Sequence, residues 1–399
     1  MAIAVPQGYR LAGIYCGIKR NTSKLDLTLV VSDRPAVAAG VYTQNQVFAA
    51  PVALDRARTP ATDVRAVVAN SGNANACTGE RGLADAEAMA RAAAATCGAD
   101  EKQALVLSTG IIGSFLPMDK ILPGIQTAAA ALDNSPAALE AAARGILTTD
   151  TTHKLSGRRI TLGGRAVQIT GMAKGAAMIG PNMATMLSLV LTDATLDPAV
   201  AQQTLAEIAD ETFNCIHVDG HMSTNDTVLL LANGASGAPR LSAGDAELAA
   251  FRDALREICT ELARAIASDG EGATHLITLD VSGCRDRASA RQIARTVADS
   301  PLVKTAIAGG DPNWGRIVSA AGYSGVQFDP ARTSLRINGT LLYESGAPVE
   351  FDAAQVSASI RQERETHVEL RFAEGDGGVR FWTADLTAEY VRLNADYHT

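Results

Sequence analysis

Five polar, glycine-containing turns carry many of the side chains that could do chemistry in this chain. They cover residues 70–75, 108–110, 219–221, 269–272 and 309–316. Each turn alone would be an ordinary surface loop, because glycine, asparagine and aspartate all favour turns. All five, however, lie at the ends of predicted strands, where converging loops commonly bind small polar substrates. The pattern therefore predicts an enzyme with a polar pocket.

Histidine chemistry is weakly supported. Of the six histidines, only His217 and His221 are close together, with Asp219 between them. A spacing of four residues would put both rings on one face of a helix, where they could bind a metal ion. The intervening Gly220 favours a turn instead, and the HExxH glutamate is absent. We therefore expect no metal site. The rival function that would require one is a metal-dependent hydrolase whose ligands are His217, Asp219 and His221.

Other standard motifs are missing from the sequence. The six cysteines form no CxxC pair, which indicates a reducing compartment and inert core thiols. Neither GxSxG nor GxxxxGK[ST] occurs, and residues 108–113 lack the first glycine of the dinucleotide fingerprint. The 35 Lys and Arg against 43 Asp and Glu give a net charge of −8, which opposes binding to nucleic-acid phosphates.

The most distinctive segment is residues 174–187, with the sequence KGAAMIGPNMATML. By composition it is a loop leading into a buried strand, in which Thr185 fills a β position. The segment resembles the self-cleavage motif of the glutamate N-acetyltransferase and ornithine acetyltransferase family of arginine biosynthesis, in which a precursor breaks at an Ala-Thr bond. Ala177 stands where that family usually has glycine, and His275 where it often has lysine. The resemblance extends over essentially the whole chain, through residues 70–79, 108–113, 148–151, 219–227, 269–274, 309–316 and 394–399.

The resemblance implies that the chain cuts itself between Ala184 and Thr185. Cleavage would turn the Thr185 amide into an α-amine with a reference pKa of about 7.7–8.0, so nucleophile and base belong to one residue. This explains how the enzyme could work without a catalytic histidine. The resemblance also assigns the oxyanion hole to the Thr109 hydroxyl and the Gly110 amide. A glycine amide just beyond a strand end is an unobstructed donor, which agrees with that role.

The family's substrate contacts map onto Thr148, Lys174, Thr185, Glu271, Asn394 and Thr399. From charge complementarity, we expect Lys174 to hold a substrate carboxylate and Glu271 the side-chain ammonium of ornithine. The implied reaction is a ping-pong transfer, in which Thr185 takes the acetyl group from N2-acetylornithine and glutamate collects it. No metal or organic cofactor is expected. The resemblance leaves open whether acetyl-CoA is also a donor, which would make the enzyme bifunctional.

The elements that must position these residues form a mixed α/β pattern. Short β-branched runs predict strands, and alanine-rich amphipathic stretches predict helices. The predicted strands cover residues 25–32, 64–69, 104–107, 185–191, 276–281 and 303–308, with a strand pair over 159–169. The predicted helices cover residues 83–97, 118–132, 136–146, 245–267 and 289–297, with a further helix beginning at Asp197-Pro198. The C-terminal quarter is expected to be mainly strands.

The family resemblance also implies the architecture. The fold should be an α/β layered αββα sandwich, similar in its layers to N-terminal-nucleophile hydrolases but different in connectivity. One gene product should give an α chain of residues 1–184 and a β chain of residues 185–399, which stay together and pair into a heterotetramer of two α and two β chains. The polar stretch 234–244 predicts the start of a smaller C-terminal lobe from about residue 240. Because Asn394 and Thr399 are assigned to the site, the C-terminal tail must return to it.

The sequence predicts a cytoplasmic protein without a membrane partner. The apolar run 11–18 resembles the core of a secretion signal, but Lys19 and Arg20 stand where the cleavage site should lie. No apolar stretch approaches the roughly 18–20 residues of a spanning helix. The nearest alternative function is a self-cleaving amidohydrolase or aminopeptidase of the same architecture, in which water rather than glutamate takes the acyl group.

Overall fold

A computed structural model describes residues 3–180 and 186–396. Its strands are β1 (Tyr9–Ile14), β2 (Leu27–Tyr42), β3 (Ala61–Asn73), β4 (Ala104–Ile111), β5 (Lys154–Leu162), β6 (Arg165–Lys174), β7 (Leu187–Thr192), β8 (Thr195–Leu196), β9 (Ile216–His217), β10 (Thr227–Ala232), β11 (Arg240–Leu241), β12 (Leu276–Cys284), β13 (Ser334–Ile337), β14 (Thr340–Glu344), β15 (Ala347–Pro348), β16 (Glu365–Arg371) and β17 (Gly377–Ala384). Its helices are α1 (Ala50–Arg58), α2 (Gly79–Ala95), α3 (Met118–Ala130), α4 (Pro136–Gly145), α5 (Pro198–Glu211), α6 (Ala246–Ser268), α7 (Arg287–Asp299), α8 (Pro301–Ala308), α9 (Trp314–Gly322), α10 (Ala353–Gln362) and α11 (Ala388–Asp396).

The larger sheet has the strand order β4-β3-β2-β10-β7-β6-β5, and β1 pairs with the first six residues of β2. Strands β7 and β10 are parallel neighbours at its centre. Every residue of both strands is buried, as their leucine- and valine-rich sequences predict for strands covered on both faces. The strand that follows the predicted cleavage bond is therefore a central one.

This sheet bends over itself along its longest strand. The pairing of β2 with β3 shifts register on either side of Ala36, and such irregularities let a strand bend. Side chains from the two halves then meet in one apolar cluster, in which Val67 and Leu107 lie with Met172 and Leu189. Helices α2 and α3 pack outside one half, and α5 and α6 pack outside the other. The expected αββα layering is confirmed.

A second sheet has the strand order β15-β14-β13-β16-β12-β17-β9. Helix α6 contacts β5 and β6 of the larger sheet and also β17 of the second sheet. Its apolar residues repeat at helical spacing, and those on the buried side include Leu255, Ile258 and Leu262. One hydrophobic cluster therefore runs from the larger sheet through α6 into the second sheet. A small pair formed by β8 and β11 lies beside the larger sheet.

Two sequence predictions are wrong. The C-terminal quarter is not mainly strands, because it contains helices α8, α9, α10 and α11 beside strands β13 to β17. In particular, residues 303–308 belong to helix α8, not to a strand. The side chain of Ser300 accepts a hydrogen bond from the Val303 amide at 3.4 Å, and Pro301 occupies the first turn. Both features favour a helix start. Val303 and Ile307 are buried four residues apart on one face. Among the described residues, no helix is long and apolar enough to cross a membrane.

Candidate functional site

Two of the polar turns, 70–75 and 108–110, are joined to each other and to the loop before β10 by buried side chains. The Asn225 side-chain amide, in the loop before β10, donates to the carbonyl oxygens of Ala74 at 2.7 Å and Ser108 at 2.8 Å. The Ser108 hydroxyl donates to the Asn70 side-chain oxygen at 2.6 Å. Because buried polar groups are costly unless they are paired, these contacts fix the turns against one another. The ends of β3, β4 and β10 thus share one polar cluster.

Thr109 and Gly110 lie at the end of β4, in register with residues 71 and 72 of the neighbouring strand. Gly110 has φ +136°, a backbone conformation that favours glycine. A Cβ atom there would lie 2.3 Å from the carbonyl carbon of Gly72 and 2.4 Å from the amide nitrogen of Asn73. Any side chain would therefore push the two strand ends apart, so glycine is required at this position.

Lys174 ends β6 and is paired with Leu187 at the start of β7. Its side chain is buried, and its ammonium group donates to the Thr109 hydroxyl oxygen at 3.3 Å. Burial lowers the pKa of Lys174, while the nearby Asp150 carboxylate opposes that shift. The lysine therefore brings a buried ammonium group beside Thr109 and opposite Leu187, which follows Thr185 by two residues in the sequence.

A second buried lysine, Lys154, lies between two carboxylates. Its ammonium group is 2.7 Å from Asp150 Oδ1 and 2.6 Å from Asp269 Oδ2. Asp150 also accepts hydrogen bonds from the amides of Gly175 at 2.6 Å and Thr148 at 3.1 Å. Burial alone would raise the pKa of Asp150, but the two lysines and the Gly175 amide lower it to about 2. This ionised network fixes the Thr148 loop and the chain after Lys174 in place.

The loop after α6 places Glu271 at the other side of the cluster. The Glu271 amide donates to the Ala176 carbonyl at 2.9 Å, so this loop is joined to the segment that follows β6. The Glu271 carboxylate accepts a hydrogen bond from the Asn394 side chain of α11 at 2.9 Å. The Thr387 hydroxyl, just before α11, donates to the Gly272 carbonyl at 2.7 Å. The C-terminal helix thus lies against the Glu271 loop.

The structure brings together the six assigned site residues that it describes. They are Thr109, Gly110, Thr148, Lys174, Glu271 and Asn394, which are linked by the contacts above. Ala184, Thr185 and Thr399 lie outside the described residues. Three of the five polar turns, 70–75, 108–110 and 269–272, contribute to the cluster. The turn 309–316 forms hydrogen bonds with helix α10 instead. The Gly309 carbonyl accepts one from Arg361, and the Gly310 carbonyl accepts one from Ser357.

The alternative metal residues have other partners. His217 is buried, and its Nε2 atom is 3.0 Å from Asp299 Oδ1 at the end of α7. The Asp219 carboxylate accepts backbone amides, among them that of His221 at 3.2 Å. Among residues 3–180 and 186–396, no group of three or more His, Cys, Asp and Glu side chains is arranged to hold a metal ion.

Sequence reasoning missed the network around Lys154. Asp150 and Asp269 lie in the motifs 148–151 and 269–274, but nothing in the sequence connects either motif to Lys154. The ion pair between Lys154 and Asp269 joins residues 115 positions apart, a separation that no local pattern reveals. The available signal was chemical: Lys154 follows Asp150 by four residues, and such opposite charges can form a pair if they are buried.

The αββα fold and its cluster of convergent polar loops define an enzyme that acts on a small polar substrate. Residues 10–399 match the ArgJ family. The chain is 48% identical to the arginine biosynthesis bifunctional protein ArgJ of Rhodopirellula baltica over 99% of this chain and 96% of that protein. It is also 48% identical to the protein of the same name from Symbiobacterium thermophilum, over 100% and 98%.

A solved structure agrees with these matches. The crystal structure of the arginine biosynthesis bifunctional protein argJ of Bacillus halodurans aligns with 53% of this chain and 100% of its own, at 39% identity and a TM-score of 0.52. The chain therefore belongs to the ArgJ family and is an acyltransferase. The family resemblance read from its motifs is confirmed.

Proposed function

We propose that this protein is an ornithine acetyltransferase that works through Thr185 after cutting itself at the Ala184-Thr185 bond. One observation carries the proposal: Lys174, which contacts Thr109, pairs with Leu187 two residues after Thr185, and the segment after Lys174 contacts the loop of Glu271, whose carboxylate accepts a hydrogen bond from Asn394. Thr109, Lys174, Glu271 and Asn394 supply a hydroxyl donor, a cation, an anion and an amide within one polar cluster. Membership of the ArgJ family over residues 10–399 supports the same activity.

Self-cleavage begins with attack of the Thr185 hydroxyl oxygen on the Ala184 carbonyl carbon. The amide C–N bond breaks, the threonine nitrogen takes up the hydroxyl proton, and Ala184 is held as an ester. Water then hydrolyses the ester, which leaves a carboxylate on Ala184 and a free hydroxyl and amine on Thr185. The new α-amine, with a reference pKa of about 7.7–8.0, is partly neutral near pH 7 and can act as the base.

The transfer itself runs in two steps. The Thr185 hydroxyl loses its proton to the α-amine and attacks the acetyl carbonyl of N2-acetylornithine. Ornithine leaves with the proton on its amine, and an acetyl ester remains on Thr185. The α-amine of glutamate then attacks that ester, N-acetylglutamate leaves, and Thr185 regains its hydroxyl. Each step passes through a tetrahedral oxyanion that needs hydrogen-bond donors.

Thr109 and Gly110 fit the role of those donors. The Thr109 oxygen already accepts a hydrogen bond from Lys174, so its own hydroxyl hydrogen is free to point elsewhere. The Gly110 amide lies at a strand end that admits no side chain. One well-placed donor of this kind stabilises a transition state by about 3 kcal/mol.

The two charged groups fit the ends of the substrates. A carboxylate bound at Lys174 would compensate a buried ammonium whose pKa is lowered by burial. The Glu271 carboxylate, which Asn394 orients, would bind the side-chain ammonium of ornithine. A Lys174→Ala enzyme with an unchanged KM would contradict the first assignment.

Several further properties belong to this proposal. They are the division into an α chain of residues 1–184 and a β chain of residues 185–399, the heterotetramer, a cytoplasmic location and the absence of a metal or organic cofactor. Acetyl-CoA is a possible second donor. An assay with glutamate and acetyl-CoA as the only substrates tests this directly, since N-acetylglutamate forms only if the enzyme uses that donor.

Mass analysis of the denatured protein tests the central step. We expect two fragments, the second beginning at Thr185, and we expect Thr185→Ala to remain one whole, inactive chain. A wild-type preparation that transfers acetyl groups fully as one unbroken chain would overturn the proposal. Acetate release without N-acetylglutamate would favour the amidohydrolase, and loss of activity with a chelator would favour the metal-dependent hydrolase.

The tail provides a second test. Deleting residues 394–399 removes Asn394 and its contact with Glu271. Activity should then be lost while self-cleavage continues, because the deleted residues are assigned to substrate binding and not to the cleavage reaction. Full turnover by the shortened chain would refute the assignment of the tail to the site.

A further inference from the structure

The loop between β9 and β10 contacts the chain on both sides of residues 181–185. On the upstream side, the Asp219 carboxylate accepts the Met178 amide at 2.7 Å and the Ile179 amide at 2.8 Å. Its two oxygens bind separate amides, Oδ2 that of Met178 and Oδ1 that of Ile179. Hydrogen bonds to a carboxylate are about twice as strong as those between neutral groups. Asp219 therefore holds the chain shortly before the cleavage bond.

The upstream contact is reciprocal. The Ile179 carbonyl accepts the amides of Val218 at 2.8 Å, Asp219 at 3.2 Å and Gly220 at 3.1 Å. Gly180 packs closely against Gly220: a Cβ atom added to Gly180 would lie 2.7 Å from the Gly220 carbonyl. Met178 adopts φ +58°, which is unfavourable for its side chain and requires support from its surroundings.

On the downstream side, Asp226 holds the first residue after Thr185. The Met186 amide donates to Asp226 Oδ1 at 3.1 Å, and the Thr227 amide donates to the Met186 carbonyl at 3.1 Å. Asp226 is fully buried, and no hydrogen-bond partner of its Oδ2 atom is found in the described part of the chain. Burial raises the pKa of this carboxyl group well above its ordinary value, which favours the neutral acid.

We propose that Asp219 and Asp226 are positioning residues for self-cleavage. Their carboxyl groups hold the backbone before and after the Ala184-Thr185 bond. This inference rests on the self-cleavage described under the proposed function. The attacking hydroxyl and the attacked carbonyl belong to neighbouring residues, so their approach depends on how both flanks are held. Attack requires the reacting atoms to be about 3–3.5 Å apart, and a misplacement of about 1 Å can slow a reaction a hundredfold.

The two aspartates differ in how they should respond to substitution. Both oxygens of Asp219 accept amide hydrogens, so an asparagine there would turn an N–H donor towards one of them. Asp226 offers one oxygen to Met186, and asparagine can supply that acceptor. Asp219→Asn should therefore resemble Asp219→Ala, whereas Asp226→Asn should keep most of the function that Asp226→Ala loses.

Asp193 is a matched control at the opposite end of β7. It is also buried, and its carboxylate also accepts two backbone amides, those of Gln7 at 3.0 Å and Gln168 at 2.8 Å. It holds no residue next to the cleavage bond. Asp193→Ala should therefore lose stability, as the other variants do, and still cleave at close to the wild-type rate.

The experiment follows the whole precursor by denaturing mass analysis after rapid purification. Each variant is incubated at the same interval below its own melting temperature. We expect Asp219→Ala, Asp219→Asn and Asp226→Ala to cleave at least about tenfold more slowly than Asp193→Ala. Asp226→Asn should stay within about threefold of the wild type, because the Met186 amide keeps an acceptor.

Cleavage of Asp219→Ala and Asp226→Ala at the rate of Asp193→Ala would overturn the inference. An Asp226→Asn chain as slow as Asp226→Ala would contradict the acceptor role of Asp226. If an Asp219 variant fails to fold, Gly180→Ala tests the contact between residues 178–180 and the loop 218–220. If Asp226→Ala fails to fold, Asp226→Ser takes its place. A wild-type chain that is active without being cut would refute the proposed function, whereas normal cutting in the variants would refute only this inference.

Discussion

The two buried lysines of the site occupy neighbouring positions but differ in how their charges are compensated. Lys154 begins β5 opposite Ala173, and Lys174 ends β6 one residue further on. The Lys154 ammonium contacts two carboxylates, those of Asp150 and Asp269. Within residues 3–180 and 186–396, the Lys174 ammonium has no carboxylate within 4.0 Å and donates only to the Thr109 hydroxyl.

Under the proposed function, this difference separates a charge that stabilises the fold, that of Lys154, from a charge that binds substrate, that of Lys174. Burying an ion costs several kcal/mol unless nearby groups compensate it. For Lys154 the protein supplies that compensation itself. For Lys174 it does so only in part, so an anion that binds there gains an interaction which the free protein lacks. Three predictions test this division.

The largest effect is expected on stability, for Lys154→Met. Removing the lysine leaves the carboxylates of Asp150 and Asp269 buried without their cation. The free energy of unfolding should fall by about 3–5 kcal/mol, as measured by denaturant titration. Arg380→Met is the control, because its pair with Asp280 lies at the surface and should contribute less than about 1 kcal/mol. Equal losses in the two variants would contradict the comparison.

For Lys174→Met we expect a small change in stability and a large loss of activity. Its side chain is buried without a carboxylate partner, so an apolar replacement of similar length should leave the free energy of unfolding within about 1 kcal/mol of the wild type. Activity should fall about a hundredfold in kcat/KM, mainly through KM, because the substrate carboxylate loses its cation. A Lys174→Met protein as unstable as Lys154→Met would show that both lysines serve the fold.

The smallest effect is a change of stability with pH. Asp150 has a pKa of about 2 in the fold, below its ordinary value of 3.8. A lowered pKa stabilises the fold above the ordinary value, and this contribution disappears as the pH falls from about 4 to about 2. The stability difference between wild type and Asp150→Asn should therefore narrow by about 1–2 kcal/mol between pH 6 and pH 2.5. A constant difference would mean that Asp150 is not held ionised.

Much of the fold could be predicted from local sequence. The runs that became β7 and α6 have strong apolar patterns, and burial followed those patterns closely. Strand β10 was not predicted, although its sequence is just as apolar. The error at residues 303–308 arose because VKTAIA suits a strand as well as a helix. Two residues before this run favour the helix. Ser300 accepts a hydrogen bond from the Val303 amide, and Pro301 has the fixed φ angle of a first helical turn.

The site could be predicted only where a motif names its residues. Thr109, Lys174 and Glu271 came from the family resemblance, and the structure brings them into one cluster. The sequence suggests Asp219 as a polar turn residue and as an alternative metal ligand, but it does not reveal that the Asp219 carboxylate binds the Met178 and Ile179 amides. Such contacts depend on how distant loops meet, which neither periodicity nor composition encodes.

The order of strands in the larger sheet has a consequence for how the protein is made. Strands β7 and β10 come from the part after Thr185, yet they are inserted between β6 and β2 from the part before it. Neither part can complete the sheet alone. Under the proposed self-cleavage, the uncut precursor can therefore form the sheet within one chain, whereas two separated fragments must first associate. We therefore expect the matured protein, once denatured, to recover far less readily than its uncut precursor.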